Sequence, residues 1–236
     1  DTLAEALHMA MSEPRGPVHI DLPEDVALAP AEEEIPDIAP GTAIDPAPDE
    51  AIARAAALLA DAKRPVAVLG STAMRMADHA LLRRFVEHHN LPFAVTTMAK
   101  GLIDDDHPLA LGCIERGRRQ HQRALLHSAD LIVGVGYDTI EVEYEAWIGD
   151  VPLLQIDMDP VDVAPSVKLQ HQVTGDLASS LDRLCAAGPG GSGWTEQDVA
   201  GHGKAFQELL RPESPGFPAH QAIDAVRTAL PHDGIL

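Results

Sequence analysis

The sequence predicts an α/β fold built on a doubly wound, parallel β-sheet. Short runs that are apolar throughout, such as PVAVLG (65–70) and ADLIVGVG (129–136), alternate with amphipathic helical stretches. Strands of parallel sheets are buried on both faces, so they read as continuous rather than alternating apolar runs. Short strand–helix–strand spacing requires right-handed crossovers, which place helices on both faces of the sheet.

The composition describes a chain that is strongly acidic and poor in aromatic residues. Its 236 residues carry a formal net charge of −20, with 45% hydrophobic and 3% aromatic residues. Such a negative surface repels phosphate backbones and anionic lipids, so no nucleic acid and no membrane partner is expected. No apolar run approaches the ~20 residues of a bilayer span, and the first residues do not resemble a signal peptide. The two cysteines, Cys113 and Cys185, are far apart and do not have the spacing of metal ligands. This favours reduced thiols in a cytoplasmic protein.

Five segments in the middle of the chain are predicted to be strands of this sheet. They are PVAVLG (65–70), LPFAVTT (91–97), ADLIVGVG (129–136), VPLLQIDMD (151–159) and KLQHQVTGD (168–176). Helical patterns cover 1–12, a stretch from Asp49, 74–89, 117–127, 177–187, 195–210 and 218–230. GPVHIDLP (16–23) reads as one more short strand, outside this series.

Two linkers divide the chain. Residues 31–48 are acidic, rich in proline and without apolar periodicity, and GPGGSG (188–193) has the composition of a flexible linker. We therefore expect a central domain over 49–187, preceded by the end of another unit (1–30). A linker with a helix (188–216) and the start of a further unit (217–236) should follow it.

The candidate binding residues follow the strands. In an open α/β sheet, ligands bind beyond the carboxyl ends of the strands, where glycine-rich turns present backbone N–H groups to phosphates. The residues at these positions are Gly70, Ser71, Thr72, Thr96, Thr97, Lys100, Gly101, Gly134, Gly136, Asp157 and Asp159. Neither G-x-G-x-x-G nor G-x-x-x-x-G-K-[ST] occurs, so these glycines could equally serve only as tight turns.

Other patterns support weaker hypotheses. The histidines at 88, 89, 121 and 127 could suggest a metal site, but His121 and His127 are six residues apart and not on one helix face, which argues against it. A basic cluster at 115–123 could be an anion clamp or only an ion-paired start of a helix. Catalysis by a Ser-His-Asp triad is not expected, because the chain has no nucleophile elbow.

The order of several segments resembles the thiamine-diphosphate-dependent enzymes. The resemblance is carried by ARAAALLADAKRPVAVLG (53–70), LPFAVTTMAKGLIDDDHPLALG (91–112), ADLIVGVGYD (129–138) and LLQIDMDPVDV (153–163). The branch that these segments are most similar to contains acetolactate synthase, pyruvate oxidase and benzoylformate decarboxylase. The match is to the central domain of that family. GPVHIDLP resembles the end of its pyrimidine-binding domain, and residues 217–236 resemble the start of its pyrophosphate-binding domain.

This resemblance implies a six-stranded parallel sheet related to dinucleotide-binding folds. In flavin-binding members the matching positions line a dinucleotide groove: Gly70, Ser71, Lys100, Gly101, Gly136, Asp157 and Asp176. Thiamine diphosphate and Mg²⁺ would lie outside this chain, between flanking domains of a homodimeric or homotetrameric parent enzyme that acts on a 2-oxo acid. No catalytic residue is therefore expected here, and the chain alone should be inactive.

Two segments depart from the flavin-binding pattern. CIERGRRQHQ (113–122) stands where flavin-binding members have a glycine-rich segment, and GYDTIEVEYEAW (136–147) resembles flavin-free acetolactate synthases instead. FAD or ADP is thus possible but not favoured, and FAD binding should be weak or absent. The alternatives are a stand-alone module that binds FAD, NAD or ADP without chemistry, and a vestigial scaffold.

Overall fold

The computed structural model describes residues 2–13, 15–30, 37–38, 41–114, 119–138, 141, 148–231 and 233–234. Within them, the helices are α1 (Thr2–Met11), α2 (Glu24–Leu28), α3 (Asp49–Asp61), α4 (Ala80–His88), α5 (Arg119–His127), α6 (Leu177–Ala187), α7 (Glu196–Leu210) and α8 (Ala219–Ala229). The strands are β1 (Pro65–Leu69), β2 (Phe93–Thr96), β3 (Ala110–Ile114), β4 (Leu131–Val135), β5 (Leu153–Asp157) and β6 (Leu169–Thr174). Every helix in the described part of the chain is too short or too polar to cross a membrane.

The six strands form one sheet in the order β3-β2-β1-β4-β5-β6. Every neighbouring pair is parallel, which confirms the predicted fold. The chain winds outward from β1 in both directions, so the order reverses between β1 and β4. Their carboxyl ends therefore border the crevice where ligands bind in folds of this kind.

Side chains of the central strands alternate between two hydrophobic layers. Ala67 and Leu69 of β1 point into a layer that also contains Leu59 of α3 and Phe85 of α4. Val66 and Val68 point into the opposite layer, with Leu126 of α5 and Trp194. All five residues of β1 are buried, as are all five of β4 and of β5. Because both faces of these strands are covered, their sequences are apolar throughout, and this pattern predicted them as strands.

The five predicted strands do not include β3. This strand lies at the edge of the sheet, and three of its five residues are only partly buried. Its middle residue is Gly112, with φ +91°, and the register of β2 against β3 shifts between Phe93 and Ala94. The segment LALGCI (109–114) is apolar on both sides of Gly112, but a glycine in the middle of a run weakens the strand pattern.

Two local predictions were wrong. The segment GPVHIDLP is extended but forms no strand, and Val18, Ile20 and Leu22 are 37%, 40% and 68% exposed. A strand needs a neighbour to satisfy its backbone, and the described residues offer none to this segment. The helix expected over 74–89 begins later. A 3-10 helix covers Ser71–Arg75, and α4 begins at Ala80, whose N–H donates to the Asp78 carboxylate at 2.9 Å.

The glycine-rich segment before α7 is not a flexible linker. Residues 188–194, here called the strap, cross the amino-terminal edge of the sheet. The Gly191 N–H donates to the carbonyl of Leu59 at 2.9 Å, and the Gly193 N–H to that of Lys63 at 2.8 Å. Asn90 holds the strap on both sides, since its carbonyl accepts from Ser192 Oγ at 2.7 Å and its Nδ2 donates to the Trp194 carbonyl at 2.9 Å. The glycines permit close backbone contact, and the strap delivers α7 to the edge strand β3.

Candidate functional site

The turns after β1 and β4 pack against each other at the switch point. A side chain at Gly70 would place its Cβ 2.3 Å from the carbonyl oxygen of Gly136. Gly136 has φ +55°, and a Cβ there would lie 2.4 Å from the backbone nitrogen of Ala73. Both glycines are therefore needed for this close approach, whatever else the groove binds.

A carboxylate occupies the crevice between these turns. The Ser71 N–H donates to both oxygens of Glu141, at 2.9 and 3.1 Å. Thr96 Oγ1, at the end of β2, donates to Oε2 at 2.6 Å, and the Asp138 N–H donates to Oε1 at 3.1 Å. We call these three donors the oxyanion cradle. It is the kind of arrangement that binds phosphate or carboxylate groups, and here it holds a side chain of the same protein.

Asp157 lies buried at the end of β5, next to the crevice. It is 5% exposed, and its carboxylate accepts from the Met158 N–H at 2.7 Å and from Gln155 Nε2 at 3.2 Å. Burial raises the pKa of Asp157 to about 6, against the lowering effect of these two hydrogen bonds and of the Arg75 charge. The group is thus an acid that changes charge close to neutral pH.

A cleft of about 210 Å³ opens beside Asp157. Its lining residues are Glu13, Thr72, Arg75, Asp138, Asp157, Met158, Asp159, Pro160, Val161 and Asp162. Arg75 and Glu13 form an ion pair across one wall, with Nη2 2.6 Å from Oε2. Burial raises the pKa of Glu13, but the hydrogen bonds and charges of Arg75 and Arg15 outweigh burial, so its pKa is lowered overall. The positive charge of Arg75 is therefore already neutralised by Glu13, which belongs to the N-terminal segment of the chain.

The structure brings together only part of the predicted site. Gly70, Ser71, Gly136 and Asp157 meet at the switch point. Lys100 and Gly101 follow the 3-10 helix Thr97–Ala99, where Lys100 pairs with Asp105. Gly101 has φ +94° and open space around it. These two residues lie outside the cleft lining, and their role in binding a cofactor stays a prediction.

Asp176 has a structural role. Its carboxylate accepts from the Ser179 N–H at 2.7 Å and caps the N-terminus of α6. An Asp directly before an apolar helical run is a signal for such a cap, and it was available in the sequence. Asp176 follows β6 at the far edge of the sheet, so its assignment to the groove has no contact that supports it.

The basic cluster at 115–123 falls mostly outside the described residues, so the clamp hypothesis has no structural account here. Within the described ranges, His, Cys, Asp and Glu form no group of three suited to a metal ion. His121 stacks on His202, with ring centroids 4.3 Å apart, and so belongs to the packing of α5 against α7.

Sequence reasoning missed Glu141, the residue that fills the crevice. Glu141 and Ser71 are 70 positions apart, and no strand or helix pattern points to Glu141. It also missed the Glu13–Arg75 pair, which is 62 positions apart. Contacts of this kind depend on the folded topology, and the sequence carries no local signal for them.

The strand order and the crevice at its reversal define an α/β domain of the dinucleotide-binding type. Residues 52–184, more than half of the chain, match the family model "Thiamine pyrophosphate enzyme, central domain". The chain therefore belongs to the central domains of thiamine-pyrophosphate-dependent enzymes, the family that the sequence resembles.

Relatives with this domain include two enzymes of Escherichia coli. Oxalyl-CoA decarboxylase is 31% identical over 193 residues, which cover 78% of this chain and 33% of that protein. The large subunit of acetolactate synthase isozyme 1 is 31% identical over 195 residues, covering 79% and 34% respectively. Benzoylformate decarboxylase from Polynucleobacter necessarius has the same fold, with a TM-score of 0.74 at 19% identity over 98% of this chain and 43% of that one. The chain thus spans about a third of the length of its curated relatives.

The groove as it stands does not fit the diphosphate of FAD or ADP. The Ser71 N–H, the donor that the β1 turn presents to the crevice, is already bound by both oxygens of Glu141. A diphosphate at this position would displace the carboxylate or meet its negative charge at close range. Asp138 and Asp157 add further carboxylates to the same end of the sheet.

Proposed function

We propose that this chain is the central, scaffold domain of an acetolactate-synthase-like, thiamine-diphosphate-dependent carboligase or decarboxylase that acts on a 2-oxo acid. The observation that carries the proposal is the family match over 52–184, which coincides with the six-stranded sheet and its covering helices α3 to α6. Relatives named acetolactate synthase and oxalyl-CoA decarboxylase support this class of reaction.

In this proposal, thiamine diphosphate and Mg²⁺ bind to flanking domains of the parent polypeptide. The thiazolium ring of the cofactor would supply the electron sink for decarboxylation. We further propose that the parent enzyme is a homodimer or homotetramer and that the isolated chain is inactive.

Titration with thiamine diphosphate and Mg²⁺ tests the proposal. The full-length protein should bind the cofactor and release CO₂ from a 2-oxo acid such as pyruvate, with a panel of 2-oxo acids defining the substrate. The 236-residue chain, measured in parallel, should do neither. A full-length protein that binds no thiamine diphosphate in calorimetry, or an isolated chain that decarboxylates, would contradict the proposal.

The cleft beside Asp157 favours the second candidate, a nucleotide-binding module without chemistry. Its volume of about 210 Å³ and its buried carboxyl group could hold part of a ribose. Thermal unfolding of the chain with FAD, ADP, NAD or coenzyme A separates the two candidates, because a ligand of the native state raises the melting temperature by mass action. We expect no shift with any of the four. A saturable, micromolar shift with one of them would favour the module.

A further inference from the structure

Glu141 is bound in the manner of a ligand. Its carboxylate receives hydrogen bonds from three parts of the fold: the β1 turn at Ser71, the end of β2 at Thr96 and the backbone after β4 at Asp138. Each of these lies at the carboxyl edge of the sheet, next to the point where the strand order reverses. The donors are two backbone N–H groups and one hydroxyl, a set that recognises oxyanions without regard to what carries them.

The shape of the crevice supports the same view. A Cβ at Gly70 would lie 2.8 Å from Glu141 Oε1, so the absent side chain at Gly70 leaves the space into which the carboxylate fits. Thr96 is fully buried at 0% exposure, and its hydroxyl is directed at the carboxylate rather than at solvent. The cradle is therefore a built site, with a buried polar side chain and a backbone turn shaped for an anion.

We propose that Glu141 is a built-in competitor for this site: its carboxylate takes the position of a ligand's phosphate group, so the chain keeps its own groove free of nucleotide. This goes beyond the scaffold role proposed above, since it names the residue that blocks the groove and implies a latent oxyanion site beneath it. The ligands that the uncovered cradle would take are compounds with a phosphate, diphosphate or carboxylate group.

The surrounding charges limit how tightly such a ligand binds. The cleft wall contributes the guanidinium of Arg75, but this group is paired with Glu13. Asp138, Asp157 and Asp159 line the same cleft and oppose an incoming anion. Removal of the Glu141 charge should therefore uncover binding of moderate affinity.

The test compares anion binding by the 236-residue chain and its variants, in calorimetry and thermal unfolding, with pyrophosphate and ADP as probes. Glu141→Gln keeps an acceptor oxygen for the cradle and removes the charge. Glu141→Ala empties the cradle. Glu208→Ala removes one negative charge from the exposed face of α7 and is the charge-matched control.

We expect Glu141→Gln and Glu141→Ala to bind pyrophosphate at least about tenfold more tightly than the wild type, a difference of about 1.4 kcal/mol. Glu208→Ala should bind like the wild type. Equal affinities for the wild type and both Glu141 variants, within about twofold, would overturn the proposal. So would equal strengthening in Glu208→Ala, because that result would trace binding to net charge alone.

Acetate provides a second readout that does not depend on phosphate. It supplies the missing carboxylate, so it should raise the melting temperature of Glu141→Ala in a saturable manner and leave that of the wild type unchanged. If Glu141→Ala does not fold without ligand, Glu141→Gln decides the outcome through pyrophosphate affinity. Failure of these tests would leave binding of thiamine diphosphate by the full-length protein untouched, so the two proposals can fail separately.

Discussion

The guanidinium carbon of Arg64 lies 3.7 Å from the ring centroid of Trp194. The indole nitrogen on the same ring donates to the carbonyl of Pro65 at 2.8 Å, and the side chain is 6% exposed. Trp194 therefore ties the end of the strap to the first residue of β1 and fills the hydrophobic layer that contains α5. Stability should depend strongly on this side chain.

We expect Trp194→Ala to lower the free energy of unfolding by about 3–5 kcal/mol, measured by urea denaturation. Trp194→Phe keeps an aromatic ring for Arg64 but loses the N–H donor. Because the ring remains, its cost should be only about 1–3 kcal/mol, from the orphaned Pro65 carbonyl. A loss below about 1 kcal/mol for Trp194→Ala would contradict the view that the strap is an integral part of the fold.

Two glycines of the strap make a matched pair. A Cβ at Gly191 would lie 2.0 Å from the carbonyl oxygen of Ala60, whereas the nearest atom to a Cβ at Gly193 is the Lys63 carbonyl oxygen at 3.4 Å. Gly191→Ala should therefore displace the strap and cost about 2 kcal/mol or more, because backbone atoms cannot move aside freely. Gly193→Ala should stay within about 0.5 kcal/mol of the wild type. Similar values for both would show that the glycines act as a flexible linker after all.

Asp157 predicts a specific pH dependence. Its pKa is raised to about 6 from the ordinary value of 3.8, so between these values the native state binds the proton more tightly than the unfolded state. Stability is therefore lost as pH rises from about 4 to about 6, by up to about 3 kcal/mol. Asp157→Asn lacks this titration.

The measurement is the unfolding free energy of the wild type and of Asp157→Asn from about pH 4 to pH 7. The difference between them should change by about 2–3 kcal/mol in favour of the variant as pH rises. Asp157→Asn also alters the hydrogen bonds from Gln155 and Met158. That effect shifts the unfolding free energy by the same amount at every pH and does not change how the difference varies with pH. Parallel curves for the two proteins would be the contrary result.

His89 is a buried polar group without a partner. It is 2% exposed, and neither ring nitrogen has a hydrogen-bond partner among the described residues. Burial, followed by the nearby His88, lowers its pKa to about 4 from 6.5. Its neutral form is thus the stable one in the fold. The stability that this shift contributes is present above about pH 6.5 and is lost as pH falls towards 4.

His89→Phe keeps the edge contact with Phe85, whose ring centroid is 4.8 Å away, and removes the unpaired nitrogens. We expect it to stabilise the protein by about 1 kcal/mol at pH 7 and by about 3 kcal/mol at pH 5, by urea denaturation. The exposed neighbour provides the control: His88→Phe should change stability at pH 7 by less than about 0.5 kcal/mol. A destabilised His89→Phe variant, or one whose gain does not grow towards pH 5, would disprove this assignment.

The sequence determined the strands that are buried on both faces, because a doubly covered strand leaves an uninterrupted apolar run. β1, β4 and β5 belong to this class. β3 was missed although LALGCI (109–114) is apolar on both sides of Gly112, because the central glycine weakens the strand pattern. Only the resemblance to a known family implied six strands. The segment 16–23 shows the opposite error: its β-branched pattern is real, but pairing depends on a neighbour that the described chain does not provide.

The candidate site was predictable only as a region. Gly70 and Gly136, which follow their strands in the sequence, meet at the carboxyl edge of the sheet, and their role in binding a ligand stays a prediction. The charged group that enters the crevice is the Glu141 carboxylate. No local sequence pattern predicts this position, because it follows from the tertiary structure alone. Asp176 was assigned to the groove from the family resemblance, and that role stays a prediction; in the structure its carboxylate caps α6.

The position of β1 in the middle of the sheet also affects how the chain assembles. During synthesis β1 can pair at once with β2, but its other neighbour, β4, is made only after β2, β3 and α5. Until β4 is made, one edge of β1 has no neighbour, and β1 is apolar on both faces. An exposed apolar edge of this kind can pair with other chains and promote aggregation. Nascent chains that stall before Leu131 should therefore depend on chaperones more than chains released after β4 is complete.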